Sequence, residues 1–221
     1  RDAGTIGVLF VLVLASVVVI VAALGHWQNG LNSSYRRLAS RFNGKYNSHG
    51  WNDPRVQFVH KGAYVFVNIG TAGSRNNRNF TQVQFRWANP QFRCEVFPEG
   101  IFSRLTKFIG MRDFEIGSAK FDDDYVINGN NATELREFLT LEVQRNVDEL
   151  RRLGVGHNSF HMQTRQTVSG GDIYLQVSGG YLLIKKRGLI REYEQLKQFV
   201  DLCLQLYDHA TEACAEGIDF V

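Results

Sequence analysis

The chain has 221 residues, a net charge of +3, and 44% hydrophobic and 12% aromatic content. That much apolar and aromatic material excludes a disordered tail, and the mild positive surplus falls short of the basic stripe of a nucleic-acid binder, so no nucleic-acid partner is expected. The three cysteines, Cys94, Cys203 and Cys214, are odd in number with no paired spacing, which argues against a disulfide framework and suits a reducing compartment.

In chain order, the first element is the uncharged, proline-free run from Ile6 to Leu24, IGVLFVLVLASVVVIVAAL. As a helix it covers roughly the 30 Å hydrocarbon layer of a bilayer. Its many valines weaken a helix in water, but in lipid a helix is how such a segment satisfies its own N–H and C=O groups. The run is too long for the core of a secretory signal, so residues 1–28 are predicted to be a retained transmembrane anchor with Trp27 at headgroup depth. Arg36, Arg37, Arg41 and Lys45 follow the run, against Arg1 before it. Positive residues stay on the cytoplasmic face, which places the rest of a single-pass protein there.

Residues 29–50 read as a juxtamembrane helix and linker. Asn32-Ser-Ser offers an N-cap, Tyr35, Leu38, Ala39 and Phe42 recur at helical spacing, and Asn43-Gly44 closes the segment. Arginines on one side and Tyr, Leu and Phe on the other suit a helix lying in the headgroup layer. Packing against its own domain is the plainer reading, and the one preferred.

Residues 51–221 are expected to form one soluble α+β domain, an antiparallel sheet with helices on one face. From Val56 the period is two: Ala63, Val65, Val67 and Ile69 face one way, Tyr64, Phe66 and Asn68 the other. Val83, Phe85 and Trp87 alternate with Gln82, Gln84 and Arg86, and Phe92 to Phe97 forms another strand. Phe102 to Ile109 suggests a short helix, followed by extended pieces at Phe114 to Ile116 and Tyr125 to Ile127. Asn131 with Glu134 resembles a capping box, opening a helix whose apolar stripe runs from Leu135 to Leu153 and stops at Gly154. Strands at Phe160 to Val168, Asp172 to Val177 and Tyr181 to Arg187 are joined through Ser169-Gly-Gly and Ser178-Gly-Gly turns. A helix from about Leu189 to Ala215 ends the chain, with a stripe broad enough for deep burial. The coarse order of hairpins, helix, hairpins, helix occurs twice, raising two similar halves as an expectation without any residue-level repeat.

The runs FTQVQFRWANPQFRCEVFPEG (Phe80 to Gly100), IGSAKFDDDYVINGN (Ile116 to Asn130) and LLIKKRGLIREYEQL (Leu182 to Leu196) are similar to a group of uncharacterised bacterial proteins. Those have one N-terminal span and a soluble C-terminal domain. The resemblance covers most of the soluble part; it implies this architecture and a bacterial membrane, and carries no activity.

Several groups carry residue types that chemistry uses. Asp122-Asp123-Asp124 lacks the alternate ligands, glycine and distal Glu of a calcium loop, so it reads as a turn or a solvated strand start. His157 and His161 have the four-residue spacing of a zinc pair, but no third ligand is nearby and a polar loop is the default. His26 and His60 show no partner. The cysteines sit at apolar positions and read as core. The glycine turns join strand to strand, whereas a phosphate cradle opens a helix. Lys185-Lys186-Arg187 with Arg191, and Arg75 with Arg78, suit lipid contact, solvation or the guarding of an exposed strand edge. No catalytic, cofactor-binding or metal-ligating residue is assigned, and no cofactor is expected.

Two functions follow. The preferred one is a non-catalytic accessory or scaffold subunit, tethered in the lipid bilayer and docked to other subunits of a larger membrane complex, with a respiratory or photosynthetic assembly as a candidate host. The alternative is a membrane-tethered sensor or small-ligand or lipid-binding module, with Tyr64, Phe66, Phe85 and Trp87 lining its pocket.

Overall fold

A computed structural model describes residues 13–17, 30–48, 53–72, 78–99, 112–153 and 173–216. Residues 30–41 form helix α1. Nine strands follow among the described residues: β1 (Lys45–Ser48), β2 (Pro54–His60), β3 (Ala63–Ala72), β4 (Arg78–Arg86), β5 (Cys94–Pro98), β6 (Arg112–Asp113), β7 (Tyr125–Gly129), β8 (Ile173–Ser178) and β9 (Tyr181–Arg187). Helices α2 (Ala119–Asp124), α3 (Ala132–Phe138), α4 (Leu141–Arg152) and α5 (Tyr193–Glu216) complete the described elements.

The strands make one antiparallel sheet in the order β1-β2-β3-β4-β9-β8-β5-β7-β6. Two tight turns set its register. Lys61 and Gly62 have φ of 47° and 83°, and Gly179 and Gly180 have 58° and 77°. Two successive positive φ values match the right-handed twist of the strands they join, which is why glycine recurs there. The strand order does not repeat between halves: β1 to β4 are a simple meander, whereas the other half threads β5 between β8 and β7.

Alternation sends Val65, Val67, Val83, Phe85, Leu182, Ile184, Leu175 and Val177 to one face, all buried. Four helices cover that face. Helix α5 packs on α3 and α4, its Phe199, Val200, Cys203 and Leu206 are buried in the core, and Phe85 stacks on Tyr207 at 4.6 Å between ring centroids. On α1, Leu31, Tyr35, Leu38 and Ala39 are buried, and Phe42 just beyond it stacks on Phe58 of β2 at 4.4 Å. The apolar side of α1 is therefore committed to protein, so it cannot also lie in the headgroup layer. Residues 30–48 share the core and the sheet.

Three local readings change. The helix expected from Asn131 to Leu153 is two helices. Thr140 interrupts it, its hydroxyl accepting from the Val143 amide at 3.4 Å to start α4. The three aspartates lie on or beside short α2, not on a strand; Asp122 accepts from the Ile116 and Gly117 amides, both at 3.0 Å, and Asp124 faces Arg151 at 3.4 Å. Strand β9, for whose basic end the guarding of an exposed edge is one of three readings, is internal between β4 and β8. The edge at one side is short β1, which carries Lys45.

Most of the apolar run from Ile6 to Leu24 lies outside the described residues, as do the Phe102–Ile109 helix, the Phe160–Val168 strand, the Ser169-Gly-Gly turn, and His26, His157 and His161. Residues 13–17 are helical, with Val13, Leu14 and Val17 each more than half exposed. Among the described residues no helix is long and apolar enough to cross a membrane.

Candidate functional site

The face of the sheet away from the helices carries no helix among the described residues, and its side chains are laid out in cross-strand rows. One row places Val59 opposite Tyr64 and Arg86 opposite Tyr181. The next runs Gln57, Phe66, Gln84, Leu183, Gln176 and Glu95, each opposite its neighbour. Val59, Tyr64, Phe66 and Tyr181 are 58%, 56%, 37% and 36% exposed, so one end of this face presents large apolar surface to solvent.

The middle of the face is polar and connected. Lys185 Nζ donates to Gln176 Oε1 at 3.3 Å, and Gln176 Nε2 donates to Glu95 Oε1 at 3.1 Å. Gln82 Nε2 donates to Asn68 Oδ1 at 3.0 Å beside them. Burial raises the Glu95 carboxyl, partly offset by Lys185, and burial lowers the Lys185 ammonium against the pull of Glu95. Each charge is disfavoured by its surroundings and retained by the other.

A second surface lies on the solvent side of α1. Ser33, Arg36, Arg37, Ser40 and Arg41 are exposed there and, with Asn32 and Tyr193, line an open trough of about 760 Å³. Helical spacing puts these residues on one stripe while the core takes the other. The Arg37 guanidinium lies 3.8 Å from the Tyr193 ring centroid and Arg36 5.2 Å from that of Tyr46. Arg41 approaches Asp201 at 3.7 Å, and that carboxylate also receives Lys197 at 3.4 Å.

The groups weighed for chemistry fall apart or become structural. Phe85 and Trp87 are buried under the helices, whereas Tyr64 and Phe66 emerge on the opposite face, so these four do not enclose a pocket. His60 has a partner after all: Nε2 is 2.8 Å from Asp208 Oδ1, and Lys61 joins the same carboxylate at 3.1 Å, fastening the β2–β3 turn to α5. Only the three-dimensional fold brings these residues together, so local pattern gave no signal. Cys94 and Cys203 are buried and Cys214 is partly so. Burial pushes the first two thiols well up and Cys214 to about 11, the last helped by Glu137 and Glu134; thiols held up this way are poor nucleophiles. Lys186 is wholly buried, with Nζ donating to the Leu150 and Arg151 carbonyls at 2.7 and 2.9 Å. Among the described residues no group of three or more His, Cys, Asp or Glu could hold a metal ion.

No protein-family model matches the chain, and no curated protein matches it. Among solved structures it is similar to the crystal structure of the mycobacterial trehalose monomycolate transport factor A, TtfA. The TM-score is 0.51 at 9% identity, over 83% of this chain and 96% of that one. At that identity the likeness concerns the fold alone.

Proposed function

We propose that this protein is a non-catalytic accessory subunit, tethered to a bacterial cytoplasmic membrane by its N-terminal apolar run, which docks on a larger membrane-protein complex through the sheet face that the described helices leave uncovered. The observation that carries the reading is the exposed group Val59, Tyr64, Phe66 and Tyr181 beside an amide-rich row. Aromatic side chains in a surface that is otherwise polar are typical of the core of a protein interface. Tethering supports the idea energetically, since a partner in the same membrane is met at high effective concentration and a modest interface suffices. The uncovered Val13, Leu14 and Val17 support the tether, because a helix that shows such side chains to water gains by meeting lipid. The domain sits on the cytoplasmic side in this reading. The fold shared with a protein titled a transport factor adds a transport assembly to respiratory and photosynthetic hosts.

Photo-crosslinking residues at Tyr64 and Phe66, irradiated in intact membranes, are expected to give one discrete protein adduct, with none from the control position Glu149 on α4. Recovery of the chain as a monomer without adducts overturns docking. Release of the full chain by a carbonate wash overturns the tether. The alternative, a lipid-binding module, draws its support from the arginine trough on α1.

A further inference from the structure

We infer that Arg36, Arg37 and Arg41 on the outer side of α1 form a phosphate-binding face that seats the headgroups of anionic lipid. The inference rests on the membrane tether proposed above. Leu31, Tyr35, Leu38 and Ala39 anchor α1 in the core, so the helix presents its arginines as a fixed array and needs no insertion to use them. That differs from an amphipathic helix that must bury its apolar side in the bilayer.

The guanidiniums are pre-positioned. The Arg37 guanidinium lies over the Tyr193 ring and that of Arg36 over Tyr46, contacts that restrict each side chain, and a guanidinium over a ring still presents N–H donors at its edge to a phosphate. Arg41 and Lys197 share one carboxylate, Asp201, so that pair keeps a positive surplus beside Arg36 and Arg37. Ser33, Ser40 and Asn32 line the same trough with neutral polar atoms, which suit the ester and hydroxyl oxygens of a headgroup. Distance also fits. Residues 25–29 separate the apolar run from α1, and at about 3.5 Å each they reach at most roughly 18 Å. The start of α1 is thereby held near the bilayer surface, and each arginine that comes within a Debye length of an anionic leaflet, about 8 Å, adds its own share to the attraction.

The test uses the full chain in nanodiscs of neutral phosphatidylcholine alone or with one part in three phosphatidylglycerol. Arginine labelling by phenylglyoxal is followed residue by residue by peptide mass spectrometry. Labelling of Arg36, Arg37 and Arg41 is expected to slow by about threefold or more with the anionic lipid and to recover in high salt. The exposed sheet-side residues Arg86 and Arg93 should change little. Equal rates in the two disc types overturn the inference. Protection by millimolar inorganic phosphate in neutral discs, matching that by phosphatidylglycerol, assigns the trough to a free phosphate and overturns the lipid source. A chain that stays out of the discs, yet shows the same protection on added anionic vesicles, refutes the tether and leaves the trough standing. The variant Arg36→Gln with Arg37→Gln alters exposed positions, so it should fold and lose the lipid preference of the remaining Arg41.

Discussion

Lys186 holds the end of α4 to the sheet, and removing it has a calculable consequence. Its ammonium is wholly buried and donates to the Leu150 and Arg151 carbonyls, two of the last-turn carbonyls that a helix cannot satisfy internally. Of their neighbours, Glu149 O already accepts from the Leu153 amide. Lys186→Met keeps the length of the side chain but removes the donor and the charge. Leaving a buried acceptor unsatisfied costs about 1–3 kcal/mol, so two such carbonyls, offset by relief from burying an ammonium, give a net loss of about 2–4 kcal/mol. For a chain of this size each kcal/mol moves the melting temperature by about 2–4 °C, so a fall of roughly 5–15 °C is expected in circular-dichroism melts. Hydrogen exchange should accelerate first in the last turn of α4. Lys45→Met, at an exposed position of edge strand β1, serves as the control and should change stability far less. Equal losses for the two lysines, or an unchanged melt for Lys186→Met, would refute the assignment of this lysine as a helix cap from the sheet.

Other outcomes follow from single observations. The double variant Glu95→Gln with Lys185→Met should be at least as stable as the parent at neutral pH, because burial opposes both charges. Because burial raises the folded-state value of Glu95, its contribution to stability is fullest in acid and is lost as pH rises through that value, so the variant's advantage should shrink as melts are taken down into the carboxylate range. Gly44→Ala sets a Cβ 2.6 Å from Gln57 O and 2.9 Å from Phe58 Cβ, and should cost about 1–3 kcal/mol in urea unfolding. Gly30→Ala, on α1 with nothing within 4 Å, should instead gain up to about 1 kcal/mol from helix propensity. Asn131→Ala removes an oxygen that accepts from Thr133 and Glu134 and an amide that donates to Glu134 Oε1 at 2.7 Å; a loss of about 1–2 kcal/mol in the same assay is expected.

What was legible in the chain followed the range over which each signal acts. Strand period places Val65, Val67, Val83 and Phe85 on the buried side because alternation depends on the strand alone. The Asn131 cap and the Ser178-Gly-Gly turn are likewise local. Thr140 escaped because its cap lies inside one continuous apolar stripe, where leucine spacing argues for an unbroken helix. The position of β9 escaped for another reason: a strand ending in Lys-Lys-Arg looks like an edge until pairing shows that Lys186 points inward to cap α4 and Lys185 outward to Gln176. The His60–Asp208 pair and the outer-face network join residues that local pattern cannot relate. The aromatic pocket failed on parity alone, since residues 64 and 66 leave the sheet on the face opposite 85 and 87.

That same parity separates the two surfaces proposed for function. The α1 arginines look outward from the helix side of the sheet, because Tyr35, Leu38 and Phe42 beneath them occupy its buried face. Tyr64, Phe66 and Tyr181 emerge from the other side. A headgroup seated on α1 therefore does not cover the docking face, and the two contacts are separable by mutation. Arg36→Gln with Arg37→Gln should abolish protection by anionic lipid while crosslinks from Tyr64 and Phe66 persist. Tyr64→Ser with Phe66→Ser should abolish the partner adduct captured from a probe at Tyr181 and leave arginine protection intact. If either pair of substitutions removes both readouts in a chain that still melts normally, the surfaces form one site and the two-sided arrangement is wrong.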